Sequence, residues 1–237
     1  MSYVGYQTRV AAQASVNERV EFLKKTYLHL GGAILAWVGL MTIMYNSSLG
    51  MNLARSLAGN WLMVMIAFMV GGHFAHKWAY QMGNPGKQYL GLGLYVVIQA
   101  VIFMPLLMFV KAIAIAKGYE ATNMIGSAAI LTGVTFGGLT LTALTSKKDF
   151  SFLGKALQLI SFAALGMLMI SWVFGSVQLG DFFAMAMVVL MGGYVLYYTS
   201  TIMRHFPIGS HVGASLALFS TIATMFYYML MLFASRD

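Results

Sequence analysis

Apolar runs of about 20 residues recur along the whole chain, separated by short polar segments. Seven of them qualify as membrane spans: Thr26–Tyr45, Leu57–His73, Tyr89–Val110, Asn123–Thr145, Phe152–Phe174, Phe182–Met203 and Gly213–Phe233. At a rise of about 1.5 Å per residue, each crosses a hydrocarbon core of about 30 Å with some tilt. No Asp, Glu or Arg stands at the centre of a span. Lys155 lies in the first turn of the fifth, where its aliphatic stem can carry the ammonium to the headgroups. The runs are continuous rather than alternating, so the spans are helices and a β-barrel is excluded. The pattern predicts an all-α membrane protein, with a seven-helix domain over 26–237 preceded by an arm over 1–25.

The arm carries helix signals of its own. Ser15-Val16-Asn17-Glu18 reads as a capping box, and Glu21 stands four residues before Lys25, the favoured order for a helical ion pair. Val16, Val20, Leu23 and Tyr27 recur on one face. Two readings follow: an amphipathic helix lying on the membrane surface, or an outward continuation of span one. Ser15, Glu18, Glu21 and Lys25 form a candidate partner-binding arm, and removal of residues 2–15 is expected to break no buried contact. Asn84-Pro85-Gly86 and Phe206-Pro207-Ile208-Gly209 mark turns. Gly133 and Gly137 in span four, and the Gly71-Gly72 and Gly192-Gly193 pairs, are expected to allow close helix approach.

Composition supports the membrane reading. The 237 residues are 60% hydrophobic and only 8% charged, against about 25% charged in soluble domains. The net charge of +8 resides in loop cations, and no basic stripe interleaved with aromatics is present, so nucleic-acid binding is excluded. Alternate loops collect ten Lys and Arg on one side and four on the other. The positive-inside rule then places the N-terminus in the cytoplasm and the C-terminus outside. The first 25 residues hold no apolar signal-peptide core, so span one is expected to direct insertion.

Candidate chemistry is sparse. The six acids, Glu18, Glu21, Glu120, Asp149, Asp181 and Asp237, all fall in loops, tails or span borders. Asp149 and Asp181 precede spans five and six and are expected to cap them. His73 and His76 share a helix face, with ligation of a metal or haem set against an interfacial hydrogen-bonding pair. Span seven contains no Lys for a retinal Schiff base, and Gly209-Ser210-His211 lacks the separate acid of a hydrolase. The chain has no Cys, and no cofactor or bound metal is expected. Spans six and seven are rich in hydroxyls: Tyr194, Tyr197, Tyr198, Thr199, Ser200 and Thr201, then Ser220, Thr221, Thr224, Tyr227 and Tyr228. They are expected to bond across the two helices, with a conduction route as the alternative.

The segment Thr145-Ser146-Lys147-Lys148-Asp149-Phe150-Ser151-Phe152-Leu153-Gly154 resembles the signature of the Bax inhibitor family. Lys25-Thr26-Tyr27 and Val195-Leu196-Tyr197-Tyr198-Thr199-Ser200 are similar to that family too, and Phe233-Ala234-Ser235-Arg236-Asp237 looks like its bacterial YccA branch. The resemblance covers most of the chain from about Val16. It implies a seven-helix bundle with the last helix central, in the bacterial inner membrane, without enzymatic activity. It implies either modulation of, or breakdown by, a membrane-anchored AAA protease in stress response and quality control, or a pH-gated calcium or proton leak. An accessory role in another large membrane assembly is a third reading. The leak members pair two acids on the last two helices and latch them with an Arg in span two. Here Tyr198, Thr221 and Gly71 align with those three positions, and neither Tyr nor Thr changes charge between pH 5 and 8. The resemblance therefore implies the protease reading ahead of the leak.

Overall fold

Ser15 starts the first helix as its spacing predicts. Its hydroxyl accepts the Glu18 N–H at 3.3 Å, while the Glu18 carboxylate accepts the Ser15 N–H at 2.9 Å. This computed structural model describes residues 9–118, 120–174 and 180–235, with the backbone alone for 61–63 and 172–174. From that cap, helix α1 runs unbroken over Val16–Tyr45, so the arm continues the first long helix outward. The rest comprises α2 (Ser48–Ala58), α3 (Trp61–Ala79), α4 (Pro85–Ala116), α5 (Ala121–Thr145), α6 (Leu153–Phe174), α7 (Asp181–Arg204) and α8 (His211–Ser235). Single 3-10 turns stand at Ala11–Gln13 and Phe150–Phe152. Among the described residues, six helices are long and apolar enough to cross a membrane: α1, α4, α5, α6, α7 and α8.

The expected second span needs correction at its start. Leu57 belongs to α2, a separate amphipathic helix that the hydropathy pattern conceals. Ser47 caps it by accepting the Gly50 N–H at 3.0 Å, and Gly50 and Ala54 are buried while Asn52 and Arg55 face outward. The chain then turns at Gly59–Asn60, and α3 carries the apolar run from Trp61 to Ala79. The small buried residues Gly50 and Ala54 let α2 pack closely on α1 and α4. Asn84 caps α4 through the Lys87 N–H at 3.1 Å, with Pro85 in the first turn, where its missing N–H costs nothing.

Helix α8 occupies the centre, in contact with α1, α3, α4, α5 and α7. Its Leu216, Leu218, Phe219, Met225 and Leu230 are fully buried. Trp37 of α1 meets Phe103, Phe219 and Phe226 edge-on, at centroid distances of 4.8, 5.7 and 5.8 Å. Its buried indole N–H has no hydrogen-bond partner among the described residues.

Two packing expectations change. A Cβ on Gly133 or Gly137 would meet no atom within 4 Å, so this pair does not bring helices together. Backbone is approached instead at Gly50, where a Cβ would strike the Met44 carbonyl at the α1–α2 turn, and at Gly91, where it would lie 2.5 Å from the Ala75 carbonyl oxygen, which explains how tightly α4 crosses α3. The other two pairs do mark contacts, with Gly71 against Ile98 and Gly193 against Leu157.

The arm is also fastened down. Val10 pairs antiparallel with Pro207. The Ala11 N–H donates to the Phe206 carbonyl at 2.9 Å, and the Ile208 N–H donates to the Arg9 carbonyl at 3.0 Å. Ala11 is fully buried, and the Arg19 guanidinium donates to its carbonyl at 3.1 Å. Removing residues 2–15 would therefore break buried contacts. The turn before α8 leaves backbone groups without helical partners, and an extended segment satisfies them.

Candidate functional site

The motif Lys147–Gly154 folds as a connector from α5 to α6, and it closes onto the last turn of α7. Asp149 is the N-cap of the 3-10 turn, and its carboxylate accepts the Ser151 N–H at 2.9 Å. The same oxygen accepts the Ser200 hydroxyl at 2.9 Å, and the other lies 3.3 Å from His205 Nε2. Ser200 in turn accepts the Phe150 N–H at 3.0 Å. The Arg204 guanidinium donates to the Lys147 and Lys148 carbonyls, each at 3.3 Å, and stands 3.9 Å from Asp149. A Cβ on Gly154 would lie 2.7 Å from the Tyr197 ring, so only glycine lets α6 start this close to α7. Phe152 faces outward at 73% exposure, and Leu153 packs against the core. The arrangement is a polar latch between two connectors.

The latch sets the charge of Asp149. The Ser151 N–H holds its carboxyl well below the usual carboxylate range; burial opposes it, and bonds from the Ser200 and Ser151 hydroxyls and His205 add to the lowering. Asp149 thus caps, as expected, and also binds across helices. Asp181 does not hold the cap position: Gly180 is the N-cap of α7, and Asp181 lies in the first turn, where the helix dipole favours a negative charge. Ser200, Arg204 and His205 are the latch residues that sequence reasoning did not pair with Asp149. Loop parity could have found them, because the connectors after α5 and α7 fall on the same side of the bundle.

The three positions aligned with the leak acids and their Arg behave differently. Thr221 is buried, and its hydroxyl donates to the Ala217 carbonyl at 2.9 Å. Tyr198 stacks on Tyr194 with centroids 5.6 Å apart and tilts against Tyr197 at 5.1 Å. Gly71 faces Ile98, and its neighbour Gly72 faces the Tyr95 ring. The expected bonding of hydroxyls between α7 and α8 is corrected. Ser215, Ser220, Thr221 and Thr224 all donate to carbonyls of α8 itself. A carbonyl three or four residues back lies within reach of a short hydroxyl and needs no partner helix. Hydroxyls of α7 reach other elements: Tyr194 and Ser161 of α6 lie 2.9 Å apart, and Ser200 binds Asp149.

The arm residues are engaged internally. Glu18 pairs with Arg9 at 3.2 Å as well as with Ser15, and Glu21 pairs with Lys25 at 2.8 Å. His76 stacks on Tyr80 and meets Tyr95 edge-on, while His73 is exposed. His29 and His211 come together, with ring centroids 4.8 Å apart and the Tyr89 hydroxyl 3.0 Å from His29 Nε2. Among the described residues, no group of three His, Cys, Asp or Glu is placed to hold a metal.

Long apolar helices around a buried central helix define a polytopic α-helical membrane protein. Residues 19–237 match the family described as "Inhibitor of apoptosis-promoting Bax1", and the chain belongs to this Bax inhibitor family. An uncharacterized protein of Campylobacter jejuni, Cj0236c, is 28% identical to it over 188 residues, which cover 77% of this chain and 75% of the relative.

Proposed function

We propose that the protein is a non-enzymatic binding protein of the bacterial inner membrane, of the YccA-like branch, that serves as modulator or substrate of a membrane-anchored AAA protease. In this reading α3 is the seventh span, since its 19 residues reach about 28 Å. The N-terminus is cytoplasmic and the C-terminus lies outside. The observation that carries it is the state of the leak positions. Thr221 spends its hydroxyl on its own helix, and Tyr198 is packed among tyrosines. Neither offers a group that titrates between pH 5 and 8, so the pH-gated leak loses its switch. What remains for function is surface, and the latch and the fastened arm present a defined one at one end of the bundle.

Pull-down of the tagged full chain from native membranes tests this reading. Recovery of a membrane-anchored AAA protease is expected, together with a longer cellular half-life once residues 2–8 are deleted, a cut that spares the Arg9–Ala11 pairing. Recovery of a different large assembly would favour an accessory subunit. In liposomes, the purified protein is expected to pass little calcium, without a steep change from pH 8 to 6. Tyr198→Asp with Thr221→Asp should introduce pH dependence, because two nearby carboxylates do not both ionise readily. Robust pH-gated flux in the unchanged protein would move the leak to first place.

A further inference from the structure

A cavity of about 600 Å³ lies between α3, α4, α6, α7 and α8. Its walls are apolar, with Phe68, Phe103, Ile113, Leu165, Ala184 and Met231 among them. Two of the polar groups it touches are already spent: Thr224 donates to the Ser220 carbonyl, and the Gln99 amide donates to the Tyr95 hydroxyl. The cavity is elongated along the helix axes. The lining stretch of α8 from Thr224 to Ser235 alone covers about 16 Å, roughly half of a hydrocarbon core of about 30 Å. It reaches the end of the bundle where α7 begins and α8 ends, and there it meets Asp181, an exposed acid. Two lining helices pack on different neighbours, α3 chiefly on α4 and α6 on α7, which leaves the space between them facing sideways.

An apolar space of this size is a poor place for water, because water there finds few hydrogen-bond partners. Left empty, it forfeits the dispersion contacts of its walls. The medium beside a membrane protein supplies one apolar material in abundance, the lipid tail. We propose that this cavity is a binding site for one acyl chain of a bilayer phospholipid, from the leaflet on the α7 N-terminal side, with the headgroup beside Asp181. The acid at the mouth selects the source. A carboxylate attracts the ammonium of a phosphatidylethanolamine headgroup and repels the carboxylate of a free fatty acid. The tail fills the walls and the headgroup remains in the interface, while Thr224 and Gln99 keep their bonds. This assignment stands independently of the protease reading.

Photolabelling tests it. The full-length protein is reconstituted in phosphatidylcholine vesicles containing trace phosphatidylethanolamine with a diazirine in its acyl chain, and adducts are mapped by peptide mass spectrometry. Labelling is expected at Phe103 and Met231 inside the cavity, besides the general labelling of the outward-facing Ile130 and Leu159. Ala184→Phe fills the cavity and should reduce the inner labelling about tenfold, equivalent to about 1.4 kcal/mol, while the outer labelling stays. Thr224→Leu adds less bulk and carries the same test if the larger change impairs folding. A diazirine fatty acid should label the inner residues weakly, and more strongly once Asp181→Asn removes the charge. Labelling confined to the outer face would overturn the site, as would inner labelling indifferent to both filling variants. Equal inner labelling by the fatty acid in the unchanged protein would overturn the phospholipid assignment.

Discussion

At the scale of the residue, Asp149 shows how one side chain joins distant parts of the sequence. Its position before a span suggests a cap, and a cap it is, but the second half of its role needs Ser200 brought to 2.9 Å. Ser200 is fully buried and serves as donor to Asp149 and acceptor from Phe150. Ser200→Ala therefore leaves two groups short of a partner and should destabilise the protein by about 1–3 kcal/mol, read as a lower melting temperature in detergent. Asp149→Asn should weaken the latch with a definite pH dependence. The folded carboxyl titrates below its ordinary value, so its contribution is complete above the unfolded pKa of about 3.9 and is lost as pH falls through the lower folded value. The stability gap between the unchanged protein and Asp149→Asn should thus be fully present at pH 5 and close in stronger acid. A gap that grew on acidification would contradict the assignment.

At the scale of the element, helix existence was legible in the sequence and helix contact was not. The expected spans over Asn123–Thr145, Phe152–Phe174 and Phe182–Met203 lie within two residues of α5, α6 and α7 at each end, because long apolar runs bounded by polar residues leave little choice. Helix α2 lies outside the expected spans except at Leu57, since eleven residues that mix Leu and Met with Ser, Asn and Arg make no apolar run of spanning length. Gly133 and Gly137 have the spacing of a packing motif but face open space, whereas Gly91 lies against backbone. Spacing defines a face of a helix and leaves open what stands opposite. The two sites should respond in opposite directions. Gly91→Ala is expected to destabilise by about 1–3 kcal/mol through overpacking against α3. Gly133→Ala should be neutral or stabilising by up to about 1 kcal/mol, since it gains helix propensity without a clash. Thermal unfolding of the two variants side by side checks the contrast.

At the scale of the whole molecule, the arm and the topology matter most. The arm carries clear helix signals, and they are fulfilled, yet nothing in residues 9–11 announces that they pair with the turn before α8. The ten-to-four split of Lys and Arg predicts opposite sides for the two termini, which requires an odd number of spans. A reporter fused after Asp237 should therefore be active only outside the cytoplasm. Cytoplasmic activity would mean an even count, with α3 as the helix that fails to cross.

The sequence by itself determined the class of protein, the place of nearly every long helix, the capping box at Ser15 and the turns, and the family through the motif at Lys147–Gly154. These are local or compositional properties: transfer of about 20 apolar residues into lipid depends on the residues themselves, and a cap depends on a neighbour three positions away. Tertiary structure decided which hydroxyls meet, which glycines touch backbone, how the arm is held, and that a cavity lies beside α8. Each of those depends on the rotation and crossing of helices against one another. In lipid, the outward and inward faces of a helix are both apolar, so the pattern that reveals a buried face in water is absent.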